Sequence, residues 1–163
     1  FNSEYWPGED TILCNNIMKN KEKILYTPEM QVYHHRRDLF FGHFKQLKGY
    51  AWHRGYFVKK FGGNSFELSY FIPSIFLLWT IILPILLIFK FPIFINNLIP
   101  IFNINIIKFV LFIPHILYFI CLIISWISSF SLIKGFCKII GIFLSHFVYG
   151  FFFIKGFFKG LKS

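Results

Sequence analysis

The sequence predicts a mixed architecture: an α/β-type front segment over residues 1–67, then an α-helical membrane region over residues 68–163. Three observations predict it. Uncharged runs of membrane length fill the second part, while ten of the seventeen Lys and Arg fall between Lys19 and Lys60. Short β-type runs separated by a turn signal follow a helical pattern near the beginning. Composition agrees, because 56% of the chain is hydrophobic and only 15% is charged, against roughly 25% charged in soluble domains. The 25 Phe recur with Ile, Lys and Asn throughout; that pattern is read as coding bias and carries no functional weight.

The first element is a helix from Glu9 to about Asn20. Ile12, Leu13, Ile17 and Met18 have helical spacing, and Glu9 and Asp10 open it where the helix dipole favours negative charge. Ile24-Leu25-Tyr26 and Met30-Gln31-Val32-Tyr33 follow as short strand-type runs, separated by the turn signal Thr27-Pro28. From Leu39 to Lys60 the helical period returns. Phe40, Phe44, Leu47, Tyr50 and Phe57 fall near one face, with basic residues on the others. Gly62-Gly63-Asn64-Ser65 ends this helix and forms the hinge to the membrane region.

Three apolar spans come next. Leu68–Phe89 gives 22 residues without a charge, enough for the ~20 that cross a hydrocarbon core. Phe109–Ile133 gives 25 more, and Ile139–Ile154 gives 16, short unless Lys138 and Lys155 snorkel to the interfaces. Between the first two spans, residues 91–107 are apolar but broken by Pro92, Pro100 and four Asn, which reads as an interfacial or re-entrant connection. Three crossings place Lys155, Lys159 and Lys162 opposite the basic front segment, against the positive-inside bias. A fourth crossing through the Asn-rich stretch would need a very tight turn at Lys90-Phe91-Pro92.

Charge placement limits the partners. A basic stretch directly before a membrane span reads as cytoplasmic and is drawn to anionic headgroups, so the chain is expected to be a multi-pass protein of the cell membrane. Nucleic acid is excluded as a partner, because nothing resembles a groove-reading helix or a stacking sheet. Cys14, Cys121 and Cys137 lack metal or redox spacing and read as small buried hydrophobes. A proton or ion transporter is hard to build, since Glu67 at the boundary is the one acid after residue 60.

Several residues could carry chemistry. Glu9 and Asp10, held by free N–H groups at a helix start, suit a general base fixed in direction or simply cap the helix. His34-His35-Arg36-Arg37 suggests a metal or phosphate site, but adjacent side chains of a strand point to opposite faces and cannot easily share one metal. Arg37 could face a diphosphate, or pack on the following helix. Tyr50, Trp52 and Tyr56 can stack on sugar rings or form the aromatic belt that precedes a span. His115 and His146 are polar residues within spans, suspects by position, with an interfacial anchor the plainer reading of His146 beside Tyr149.

The order of these motifs resembles the end of a family 2 glycosyltransferase. The resemblance is carried by Trp6-Pro-Gly-Glu-Asp-Thr11, Leu13-Cys14, Lys23-Ile-Leu-Tyr26 with Pro28, Val32-Tyr-His-His-Arg-Arg37, Phe44-Lys-Gln46, and Tyr50 with Arg54-Gly55. It resumes at His146-Phe-Val-Tyr-Gly150 and Gly156. It implies that residues 1–67 are the carboxy-terminal part of an α/β nucleotide-sugar domain of the GT-A type, ahead of about three membrane helices. It also implies an inverting transfer from a nucleotide diphosphate sugar to a lipid-linked or polysaccharide acceptor at the cytoplasmic membrane face. Asp10 matches the base that deprotonates the acceptor hydroxyl, and Glu9 shapes the helix start or touches the acceptor. A Gln-x-x-Arg-aromatic motif matches Gln46, Gly49 and Tyr50, with Gly in place of Arg; Lys48 or Arg54, about one helical turn away, could replace the missing cation. Arg37 and Trp52 complete the expected substrate-binding set. A divalent cation, Mg or Mn, is implied for the whole enzyme, but no Asp-x-Asp motif occurs here. The donor half is therefore expected upstream of Phe1, and the fragment alone is expected to be inactive. The alternative is a non-enzymatic membrane protein whose basic segment docks lipids or a partner.

Overall fold

The computed structural model describes residues 8–35, 40–62, 66–98, 103–129 and 131–160. The described residues form six helices: α1 (Glu9–Lys19), α2 (Phe41–Phe61), α3 (Ile72–Ile88), α4 (Phe91–Leu98), α5 (Ile104–Ile127) and α6 (Leu132–Lys159). A 3-10 turn, Leu68–Phe71, leads into α3. No strand occurs among the described residues, so the expected α/β nucleotide-sugar domain is not present in them. Residues 24–26 and 30–33 are exposed and irregular, joined by a turn in which Met30 N donates to Thr27 O at 3.2 Å. The physical reason is simple. Runs this short gain ladder hydrogen bonds only beside a partner strand, and no described segment supplies one.

α1 starts and stops for local reasons. Gly8 precedes it, Glu9 and Asp10 occupy its first turn, and Lys19 its last, each matching the dipole. At its end Lys21 N donates to Met18 O (3.0 Å) and Glu22 N to Ile17 O (3.1 Å), the paired bonds of a Schellman cap. Lys21 adopts φ +61° to make them, a left-handed conformation costly for any residue with a Cβ.

Two compact units divide the chain, one of residues 1–74 with 148–163 and one of residues 75–147. In the first, α2 crosses the end of α6 at very close range. Ala51, Val58 and Phe153 form its core at 0%, 5% and 2% exposure, flanked by Tyr70, Phe71, Tyr149, Phe152 and Phe157. Glycine makes the approach possible: a Cβ on Gly156 would collide with the Trp52 carbonyl, and one on Gly55 with the Phe153 carbonyl. Gly150 stands likewise against the Pro73 carbonyl, 2.7 Å from where its Cβ would be. Beside it, the Ser74 hydroxyl donates to Gly150 O at 3.2 Å. Small residues of this kind let helix backbones approach closely.

The second unit turns tightly twice. Lys90, at φ +54°, breaks the helix between α3 and α4, and its carbonyl accepts from Ile93 N and Phe94 N. At eight residues, α4 rises only about 12 Å, under half of a hydrocarbon core, so it packs on α5 and is no fourth crossing. α5 and α6 are joined by a short serine turn. There Lys138 Nζ donates to Ser125 O (2.9 Å) and Ser128 Oγ (3.2 Å), closing the end of α5.

Among the described residues, three helical segments are long and apolar enough to cross a membrane: Leu68–Ile88, Ile104–Ile127 and Leu132–Lys159. Only 6% of the most apolar stretch of α5 is buried in protein, so its side chains need an apolar phase from elsewhere, which a bilayer supplies. The expected second and third spans shift accordingly, α5 beginning before Phe109 and α6 before Ile139. All three cysteines are free and exposed, which corrects the expectation that they are buried; Cys121 and Cys137 lie on helix faces that other helices do not cover.

Candidate functional site

The acidic pair behaves as its position at a helix start dictates. Glu9 Oε2 accepts from Gly8 N at 2.9 Å, and Asp10 Oδ1 accepts from Thr11 N at 2.7 Å. These N–H groups belong to the first turn, where no helical carbonyl is available to them. Asp10 is exposed.

On α2, three expected site residues form a row at intervals of four. Gln46 Nε2 donates to Tyr50 Oη at 3.1 Å. One turn on, the Arg54 guanidinium stacks on the Tyr70 ring, 4.2 Å from its centroid, and Nη1 donates to Tyr70 Oη at 3.0 Å. Tyr70 belongs to the 3-10 turn before α3, so Arg54 binds the start of the first span to α2. No hydrogen bond or ring contact among the described residues ties Glu9 or Asp10 to this row. Arg37 lies outside the described residues.

The remaining two candidates face α6. Lys48 Nζ sits 5.0 Å from the Phe152 centroid, and Lys155 Nζ 5.8 Å from the same ring and 5.1 Å from that of Trp52. The Trp52 indole N–H donates to Gly160 O at 2.7 Å. Gly160 ends α6 at φ +75°, so the indole closes that turn. Lys48 and Arg54 each lie against a ring in this arrangement, and the Gly49 carbonyl lies 2.9 Å from His53 Nδ1. Residue pairs such as Trp52 and Gly160 leave no signal in local sequence.

No family model, curated protein or solved structure matches this chain.

Its site is accordingly read from its own geometry. Among the described residues no group of three or more His, Cys, Asp or Glu is arranged to hold a metal ion. His34 and His35 are exposed in irregular chain. The divalent cation implied by the resemblance has no donor set among the described residues.

A second polar group lies within the second unit. The Thr80 hydroxyl donates to Phe76 O at 2.9 Å and lies 3.2 Å from His115 Nε2. His115 Nδ1 is buried with no partner among the described residues. The Phe76 ring packs on both His115 and Tyr118, at 5.3 and 4.5 Å, and Tyr118 Oη lies 3.0 Å from His146 Nδ1. Pro114 interrupts α5 and weakens the helical bonds of the preceding turn. The Trp79 indole donates to Leu111 O at 3.1 Å in that turn. These contacts fasten α3, α5 and α6 with hydrogen bonds, and nothing else in the group points to a reaction.

Proposed function

We propose that the chain belongs to a membrane-bound enzyme that transfers a sugar from a nucleotide diphosphate donor to a lipid-linked or polysaccharide acceptor. The observation that carries this reading is Asp10, an exposed carboxylate fixed at the opening of α1 within Gly8-Glu9-Asp10-Thr11. A base oriented by a backbone N–H, here that of Thr11, meets the first requirement of general base catalysis, geometry before acidity. Asp10 takes the proton of the acceptor hydroxyl, that oxygen bonds to the anomeric carbon, and the nucleoside diphosphate leaves with inversion. Glu9 holds the helix start. The Gln46 and Tyr50 pair, exposed at Tyr50, supplies hydrogen-bonding and stacking for acceptor or diphosphate on the cytoplasmic side.

Asp10→Asn in the whole protein tests this. With a panel of uridine and guanosine diphosphate hexoses, transfer into lipid-extractable or polymeric product should fall roughly a hundredfold or more at unchanged protein level. Transfer near the native rate removes Asp10 as the base.

One observation favours a second reading, a non-enzymatic membrane protein with a basic docking helix. Lys48, Trp52 and Arg54 all contact α6 or the start of the first span. Absence of transfer from every donor in the panel, with the native chain intact, would favour that reading.

A further inference from the structure

The ammonium groups of Lys48 and Lys155 converge on one aromatic ring, that of Phe152, with Trp52 beside it at 6.3 Å between centroids. Among the described residues no carboxylate pairs with either of them. Neither α2 nor α6 contains an acidic residue, and the chain carries a net charge of +10. A ring face answers part of the charge, but it leaves the three N–H donors of each ammonium unmatched. The Trp52 indole N–H is already spent on Gly160, so the aromatic pair offers faces and the lysines offer donors.

Depth decides what such a site takes. Lys155 is the first charge on α6 after the uncharged stretch of residues 139–154, which places it where a crossing helix leaves hydrocarbon for headgroups. Trp52 and Phe152 stand at the same level, the place of an aromatic belt. The close crossing at Gly55 and Gly156 locks Lys48 there as well, on a second helix. We propose that Lys48 and Lys155 bind the phosphate of an anionic membrane lipid, whose glycerol and upper acyl carbons rest on Trp52 and Phe152. Long flexible stems let both ammonium groups reach one phosphate. The site is independent of sugar transfer, and its assay contains no donor.

The test is native mass spectrometry of the detergent-solubilised full chain. It is titrated with phosphatidylglycerol, then with phosphatidylcholine of identical acyl chains. The native chain should retain phosphatidylglycerol more tightly, each lysine contributing about fivefold. Lys48→Gln and Lys155→Gln should each lose about that factor, and the double variant both factors. Lys48→Arg with Lys155→Arg should keep the preference, and Lys134→Gln, far along α6, should leave it unchanged. Helical circular dichroism and gel-filtration position show that each variant is folded. Equal retention of the two lipids by the native chain overturns the proposal. So does an equal loss in Lys134→Gln, which would mean diffuse charge alone. Displacement of the lipid by inorganic phosphate at concentrations matching the lipid's own also overturns it, in favour of a soluble phosphate.

Discussion

Adding one methyl group at Gly156 should part α2 from α6. An added Cβ would overlap the Trp52 carbonyl oxygen and lie 2.7 Å from Trp52 C and 2.9 Å from Trp52 Cα. All three are backbone atoms, so no rotamer change relieves them, and ordinary carbon contacts of about 3.5–4.0 Å require the helices to move apart. Overpacking of this kind costs about 1–3 kcal/mol. Separation also stretches the Trp52–Gly160 hydrogen bond, worth about 0.5–1.5 kcal/mol. Alanine recovers up to about 1 kcal/mol through helix propensity, leaving a net loss of about 1–3 kcal/mol. The readout is trypsin cleavage at Lys59–Lys60 near the end of α2, in the reconstituted full chain. Where cleavage follows the population of undocked helix, each 1.4 kcal/mol gives about a tenfold faster rate. Gly141→Ala is the matched control, because a Cβ there meets nothing within 4 Å. The reasoning fails if Gly156→Ala leaves the rate unchanged, or if Gly141→Ala accelerates it equally.

Three further substitutions probe the other joints. Lys21→Gly should stabilise the end of α1 by about 1 kcal/mol by relieving the left-handed residue, seen as slower amide exchange at residues 21 and 22. Tyr118→Phe keeps the ring contacts with Phe76 and His146 but removes the hydrogen bond with His146 Nδ1. The loss should be about 0.6–1.7 kcal/mol, read as a lower thermal midpoint of the solubilised chain. Tyr70→Phe retains the cation–π stack with Arg54 and deletes its hydrogen bond, so α2 should undock more readily by about 1.5–3 kcal/mol, read by the same cleavage assay. If Arg54 instead serves a substrate, Tyr70→Phe will change transfer and leave cleavage alone.

The helices were legible because their signals are local. Acids opening α1, the apolar period of α2 and the uncharged runs of the three spans each lie within one element. The strand readings at residues 24–26 and 30–33 failed for the complementary reason: a strand is completed by a partner, and β-type residues announce only a readiness to pair. Lys48, Trp52 and Arg54 show the same limit at the level of the site. Local pattern marks them as basic and aromatic residues on one helix, which fits a substrate surface as well as a docking surface. What sorts them is α6, about a hundred residues later, with its Phe152, Lys155 and Gly160. Only the small residues Ala51, Gly55 and Gly156 could have hinted at the crossing, and glycine in an apolar chain has several other uses.

That sorting separates two chemical questions that the sequence had joined. The carboxylates of Glu9 and Asp10 are held by their own helix start, while the cations expected to serve beside them are held by aromatic rings near the end of a membrane span. A cation committed to Tyr70, as Arg54 is, loses stacking and a hydrogen bond if it turns to a leaving diphosphate. Lys48 and Lys155 pay less to turn, since a ring contact leaves their N–H donors unspent. Any phosphate that meets this helix pair should therefore engage the lysines before the arginine. The order can be measured, because Lys48→Gln should weaken phosphate-bearing ligands while sparing α2 docking, and an Arg54 substitution should do the reverse.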